Sequence, residues 1–268
     1  MFRYQVLIEY IGTSFVGWQI QSKGKSIQKE IQVKLSKLLK EKVVLIGSGR
    51  TDTGVHAIEQ SAHFDCKKEI QNLDKLLKSI NHFINDKDIS ILAIKKRSIK
   101  FHARYSAKQR IYKYIIFNRL SKPSLEKERG WHIIKKLDIS LMKKGAKKLL
   151  GTKDFSTFRS SSCNAKSPIR TMKSIKIKLI RGRVEIQFKS QSFLQQQVRS
   201  MVGCLKYLAE KKWDLKKFNL VLKSKKKITL CATRTCRRII FRKSYLLSCD
   251  LPRLNFLLIL HLDSVRTM

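Results

Sequence analysis

The chain has 268 residues, which is enough for a substantial hydrophobic core in one large domain or two modest ones. Lysine and arginine number 59 against 19 acidic residues, giving a formal net charge of +40 that adds self-repulsion to the folded state. Such an excess favours nucleic acid as a partner and a membrane surface second, although a lysine-biased proteome would also produce it. No apolar run is long enough for a transmembrane helix, and the first residues read as a strand. We therefore expect a cytoplasmic protein.

The six cysteines form no CxxC pair and have no spacing with histidine that is typical of a metal site. We therefore expect free thiols and no bound zinc. In the first part of the chain, apolar periodicity predicts strands and helices in turn. These are a strand at 2–10, a helix at 26–40 capped by Ser26, strands at 43–46 and 60–64, a helix at 72–83 and a strand from 89.

The second part repeats this order of elements without repeating the letters. It contains a strand at 110–117, a helix from Asp138 to 150, strands at 171–180 and 183–188, a long helix starting at Ser192 and a short helix at 213–222. Strands and helices in this order predict an α/β (α+β) protein of two similar modules whose sheets join edge to edge. We place the modules at 1–100 and 101–232.

A short loop with glycine near both ends follows the apolar run at 43–46 and carries two opposite charges, Arg50 and Asp52. Gly49 and Gly54 allow the backbone to turn sharply and a ligand to approach it closely. An aspartate held beside a guanidinium at a rigid edge suits a nucleophile or a base. The alternative is a strand connection with a surface ion pair of little energetic weight.

The loop at 49–57, GRTDTGVHA, resembles the signature of the TruA family of tRNA pseudouridine synthases, usually GRTDAGVHA. Thr53 is the one departure from that signature. Further segments resemble family motifs in the family's order: 9–21, FHARYSA at 101–107 with a following YxY, DFSTFR at 154–159, and FLQQQVRSMVG at 193–203. Together these segments place nearly all of the chain up to about residue 230 within the family pattern.

The resemblance implies two ferredoxin-like or RRM-like halves, joined into one mixed, mainly antiparallel sheet with helices on one face and an active cleft between the halves. It implies that Asp52 is the catalytic nucleophile, that Arg199 reaches it, and that Tyr112 lies against the uracil. Arg50 is our candidate for stabilising the vacated stack when the nucleotide flips. The substrate-binding candidates are Arg50, Tyr112, His56, Arg104, Arg110, Phe158 and Arg159.

The implied reaction is an isomerisation, in which uracil detaches from the ribose, turns and rejoins through C5. It requires no metal and no redox or small-molecule cofactor. Whether Asp52 attacks the sugar, attacks the base or removes a proton stays open at this point. The resemblance also implies a substrate, the anticodon stem-loop of tRNA at positions 38 to 40, and a homodimer in which one tRNA spans both subunits.

Two other functions fit the charge. A non-catalytic basic RNA-binding protein could use the same sheet, but the presence of Asp52 argues against it. A membrane-surface or scaffold protein would require a basic amphipathic helix with aromatic residues on its other face, and none stands out.

The tail at 233–268 departs from the family pattern, in which a strand with glycine and alternating apolar residues closes the second half. Here the corresponding stretch, 233–245, clusters arginines and contains no glycine. Codons can be chosen for this stretch that, with one base dropped, read Pro-Ala-Pro-Ala-Gly-Gly-Leu-Phe-Leu-Glu-Lys-Val-Ile, which resembles the missing strand. We therefore predict a shift of reading frame near codon 233, an aberrant tail, and a second module without its closing strand.

Overall fold

The structure is a computed structural model that describes residues 1–84, 87–126 and 129–225, together with the backbone of 239–246. The elements of the first half are β1 (Phe2–Tyr10), α1 (Ile27–Leu39), β2 (Ile46–Gly47), β3 (His56–Cys66), α2 (Leu73–Ile84) and β4 (Ile89–Arg97). Those of the second half are β5 (Ala107–Phe117), β6 (Trp131–His132), α3 (Ile139–Lys148), β7 (Gly151–Asp154), β8 (Ile169–Ile180), β9 (Arg183–Ser190), α4 (Gln197–Ala209), α5 (Leu215–Lys223) and β10 (Ile239–Leu246).

One mixed sheet runs through the described part of the chain in the order β4-β1-β3-β10-β5-β9-β8-β7, with β2 added to β3 and β6 to β5. Most neighbours are antiparallel, while β10 on β3 and β6 on β5 are parallel. The order β4-β1-β3-β2 in the first half corresponds to β10-β5-β9-β8 in the second when the short strands β6 and β7 are left out, since each half then reads 4-1-3-2 in its own numbering. This confirms the predicted fold of two ferredoxin-like halves in one sheet.

Each half has its own hydrophobic core. In the first core, alternate residues of β1 such as Tyr4, Val6 and Ile8 pack against α1 and α2. The second core lies between β5, β8, β9 and the helices α3, α4 and α5. The connection 98–106 contains the boundary that we predict near residue 100. Among the described residues, no helix is both long and apolar enough to cross a membrane.

Helix starts follow their predicted caps. The Ser26 hydroxyl accepts a hydrogen bond from the Lys29 amide at 3.4 Å, and the Asp138 carboxylate accepts one from the Leu141 amide at 2.8 Å. The predicted start at Ser192 is wrong, because α4 begins at Gln197. Gln196 has a φ of +61°, a left-handed conformation that separates an irregular segment at 192–196 from the helix.

The strand predicted at 43–46 is also wrong over most of its length, since β2 contains only Ile46 and Gly47. Val43 and Leu45 are buried, but side chains of α1 bind their amides. Ser36 Oγ accepts from the Val43 amide at 3.0 Å, and Gln32 Oε1 accepts from the Leu45 amide at 3.1 Å. A segment whose amides bond to side chains needs no partner strand.

A strand closes the second half, contrary to our expectation from the tail. The backbone of β10 pairs with β5 along its length and with β3 at Ile240↔His56 and Phe241↔Ala57. Backbone hydrogen bonds depend little on side chains, so the facing edges of β3 and β5 can accept a segment outside the family pattern. The rest of the tail, 233–238 and 247–268, lies outside the described residues, and the frameshift stays a prediction.

His63 on β3 anchors the connection between the halves. Its side chain is 1% exposed, and Nδ1 accepts a hydrogen bond from the Ala103 amide at 3.2 Å. Burial lowers the pKa of His63 to about 4, with further lowering by Arg3 and His102 and an opposite effect from Asp65. The neutral imidazole is therefore part of the folded state.

We expect His63→Gln to change how stability depends on pH. Between about pH 6.5 and 4 the unfolded chain binds a proton at His63 that the folded chain does not, so acidification through this window destabilises the wild type. The variant lacks this contribution. Urea unfolding at several pH values should show the stability advantage of the wild type shrinking steadily as the pH falls through that window. A difference that is constant with pH would contradict this expectation.

Candidate active site

The Asp52 loop connects β2 to β3 and is held at several backbone atoms. Gln60 Nε2 donates to the Gly49 carbonyl at 2.7 Å, and the Trp18 amide donates to the Thr51 carbonyl at 3.0 Å. The Thr51 hydroxyl shares a buried hydrogen bond of 2.7 Å with the Tyr10 hydroxyl. Burial of these groups makes the bonds costly to break, which fixes the position of the loop.

The segment at 12–18 packs against this loop so closely that side chains are excluded. A Cβ on Gly17 would lie 2.5 Å from the Thr51 carbonyl oxygen, and the φ of Gly17 is +119°. A Cβ on Gly12 would lie 2.0 Å from the Val55 carbonyl oxygen. Both glycines are therefore required by contact with the loop. This explains why the segment and the loop carry sequence motifs together.

Arg199 meets Asp52 from the first turn of α4. Its Nη2 atom is 3.9 Å from Asp52 Oδ2 and donates a hydrogen bond of 3.3 Å to the Thr53 carbonyl. The Arg199 side chain is 7% exposed, while that of Asp52 is 37% exposed. The guanidinium thus lies behind the carboxylate, and the carboxylate keeps an open side towards the cleft.

Tyr112 on β5 forms a second wall of the same site. Its ring packs edge-on against Phe193, with 4.9 Å between centroids and 83° between planes. Burial raises the pKa of Tyr112 to about 12; Arg110 lowers it and Asp52 raises it. The phenol is therefore neutral near pH 7. Phe193 belongs to the irregular segment at 192–196, so its contact with Tyr112 depends on the late start of α4.

Asp52, Tyr112 and Phe193 line one cleft of about 600 Å³. Among the described residues that line it, Asp52 is the one carboxylate, and the cations are Arg50, Arg104, Arg110 and Arg170. Such an excess of guanidinium groups around a single carboxylate suits a ligand with several phosphates. No sequence motif points to Arg170, which lies at the start of β8.

Three predicted substrate-binding residues do not line the cleft. His56 is buried, and its Nδ1 accepts a hydrogen bond from the Gly12 amide at 3.2 Å. Phe158 is 1% exposed and packs in the second core, 5.9 Å from the ring of Phe155. Arg159 is half-buried beside it. The geometry gives His56 and Phe158 structural contacts, so their prediction as substrate contacts finds no support here.

The model of a family described as tRNA pseudouridine synthase matches residues 6–106 and 146–238. The chain belongs to the tRNA pseudouridine synthase family. Its predicted enzyme class, an isomerase that acts on tRNA, is therefore confirmed. The matched residues include the Asp52 loop, Arg104 and Arg199.

Several relatives are described as tRNA pseudouridine synthase A. One from Pelagibacter ubique HTCC1062 is 90% identical over 232 residues, which cover 87% of this chain and 94% of the relative. One from Paramagnetospirillum magneticum AMB-1 is 41% identical over 79% of this chain and 82% of the relative. A chain of a solved archaeal box H/ACA sRNP Nop10–Cbf5 complex is 10% identical, covering 76% of this chain and 43% of its own, with a TM-score of 0.34.

The match with the Pelagibacter relative takes in 232 of this chain's 268 residues and leaves 36 outside it. The family match ends at residue 238, within the stretch 233–245 whose sequence departs from the family pattern. The shift of reading frame near codon 233 stays a prediction.

We expect resequencing across codon 233 to show that one base has been lost or gained relative to the reading frame of the preceding codons of the same gene. A version with the alternative frame restored should melt at a higher temperature than the present chain, because β10 would then carry the apolar alternation of a central strand. A confirmed frame, together with a well-ordered tail in a soluble, active protein, would contradict the prediction.

Proposed function

We propose that this enzyme isomerises uridine to pseudouridine at positions 38 to 40 in the anticodon stem-loop of tRNA, with Asp52 as the nucleophile. The observation that carries the proposal is the placement of Asp52 at the wall of the cleft, 3.9 Å from Arg199 and beside Tyr112. Membership of the family supplies the reaction, and this arrangement supplies residues for each part of it.

Asp52 faces the reacting nucleotide with its exposed side. During the reaction the bond between the ribose and N1 of uracil breaks and a bond from the ribose to C5 replaces it, while C5 loses its proton and N1 gains one. No atom is gained or lost overall, so the protein must bind a detached uracil and turn it over. Arg199 offsets the charge of Asp52 from behind and fixes its direction through the Thr53 carbonyl.

Tyr112 offers a flat ring against which the detached uracil can stack. The Phe193 contact holds that ring at one angle, and the raised pKa keeps the phenol neutral, so that it adds no charge beside Asp52. A ring fixed in this way lets the uracil turn over within the cleft without leaving it.

Two of the cleft arginines bind the RNA backbone in this proposal. Arg50 and Arg104 are exposed at the cleft, where phosphates can reach them, and Arg50 is close in sequence to Asp52. Arg50 therefore also serves to stabilise the stack from which the uridine is flipped. The enzyme would work in the cytoplasm as a homodimer, with one tRNA contacting both subunits.

We expect Asp52→Asn to remove turnover and leave tRNA affinity within about threefold of the wild type, because phosphate contacts supply most of the affinity. The loss in rate should be at least about a hundredfold, since the carboxylate acts on the nucleotide itself. A gel shift with an unmodified tRNA transcript measures binding, and chemical pseudouridine mapping measures product and position.

Asp74→Asn is the matched control, because it makes the same change of charge on the exposed first turn of α2. Multiple turnover by Asp52→Asn would exclude the nucleophile assignment. Product at other tRNA positions in the wild type would exclude the assignment of the anticodon stem-loop.

Tyr112→Phe and Tyr112→Ala separate the ring from the hydroxyl. If Tyr112 stacks on uracil, Phe should stay within about threefold of the wild-type single-turnover rate, while Ala should lose about tenfold or more, as expected for loss of base stacking. Thermal melts of both variants check that the comparison is made between folded proteins. Equal losses for Phe and Ala would show that the hydroxyl matters, and stacking alone would be an insufficient account.

A further inference from the structure

Arg110 makes more contacts with the backbone of the cleft than any role in phosphate binding requires. Its Nε donates to the Ser48 carbonyl at 3.1 Å, and Nη2 donates both to that carbonyl and to the Arg104 carbonyl, the latter at 2.9 Å. Nη1 donates to the Gln191 carbonyl. Most of the N–H groups of this guanidinium are thereby directed at backbone oxygens.

The three carbonyls belong to three different segments of the cleft. Ser48 begins the loop that carries Asp52, Arg104 belongs to the connection between the halves, and Gln191 precedes the segment that carries Phe193. Arg110 itself lies on β5 two positions before Tyr112, so the two side chains share a strand face. One guanidinium therefore fixes the loops on both sides of Tyr112.

The electrostatic surroundings of Arg110 are consistent with a structural role for its guanidinium. Burial lowers its pKa, with a smaller effect of the same sign from Arg104 and an opposite one from Tyr112. Within the described chain its guanidinium bonds to carbonyl oxygens and to no carboxylate. Oriented carbonyl dipoles replace the water that the cation loses on burial.

We propose that Arg110 is a positioning residue that clamps three loops of the active cleft: the Asp52 loop, the connection at 98–106, and the segment at 192–196 through the preceding Gln191. This replaces its predicted role as a substrate contact. Only arginine can do this, because its planar fork presents N–H groups in several fixed directions. A lysine has the charge but a single nitrogen on a flexible stem.

Hydrogen–deuterium exchange of the free protein tests the clamp without reference to activity. Arg110→Lys keeps the charge, Arg110→Gln removes it, and Lys108→Gln is the matched control that removes the same charge from an exposed position on β5. We expect exchange to rise about tenfold in all three clamped segments in both Arg110 variants, and to be unchanged in Lys108→Gln.

Turnover on the tRNA transcript provides a second measurement, and this arm alone rests on the proposed function. The clamp predicts that Arg110→Lys lowers kcat about tenfold or more and leaves KM and tRNA affinity within about threefold, since charge is kept and geometry is lost. A wild type that makes no pseudouridine would overturn the proposed function. The clamp would still be tested, because the exchange measurement needs no substrate.

Two results would overturn the clamp. One is an Arg110→Lys variant whose three segments exchange at the same rate as in the wild type and whose kcat is normal. That result is expected if Arg110 only supplies charge. The other is faster exchange throughout the core strands as well, which would make Arg110 a determinant of global stability rather than of these loops.

Discussion

Arg199 can meet Asp52 only because one sheet runs through both halves of the protein. Asp52 follows β2 in the first half and Arg199 lies in the first turn of α4 in the second, so the two residues are far apart in the sequence. Val55 of the Asp52 loop packs into the second core, and Tyr112 contacts both cores. A small shift between the halves would separate the two charges. The stiffness of the joined sheet therefore determines how precisely Asp52 and Arg199 are placed.

The cleft combines opposite charges. In the described part of the chain it contains one carboxylate among several guanidinium groups, and these guanidinium groups differ in what they bind. Arg199 offsets Asp52, Arg110 is occupied by backbone carbonyls, and Arg50 and Arg104 remain exposed. In the proposed function, the arginines that attract RNA are thus different from the arginine that positions the carboxylate. Sequence composition reports only their sum.

Local rules predicted much of the fold, and long-range contacts account for most of what they missed. Ser26 and Asp138 mark helix starts because a capping hydrogen bond involves only residues a few positions apart in the sequence. The alternation in β1 likewise shows directly which face is buried. The late start of α4 depends on the left-handed conformation of Gln196. Glycine or asparagine at this position would have indicated such a conformation, whereas glutamine does not. The motifs placed Asp52, Arg199 and Tyr112 at one site, whereas the carbonyls that bind Arg110 come from segments distant in sequence, which no local pattern reveals.

The position of β10 has a consequence for how the chain acquires its shape during synthesis. It is the last of the described strands to leave the ribosome, yet it lies in the middle of the sheet, between β3 and β5. The two halves can each form a core earlier, but their edges stay unsatisfied until this strand arrives. Between the completion of the second core and the arrival of β10, the nascent enzyme therefore consists of two tethered domains, and the joining of the halves at the cleft is a late, non-local step.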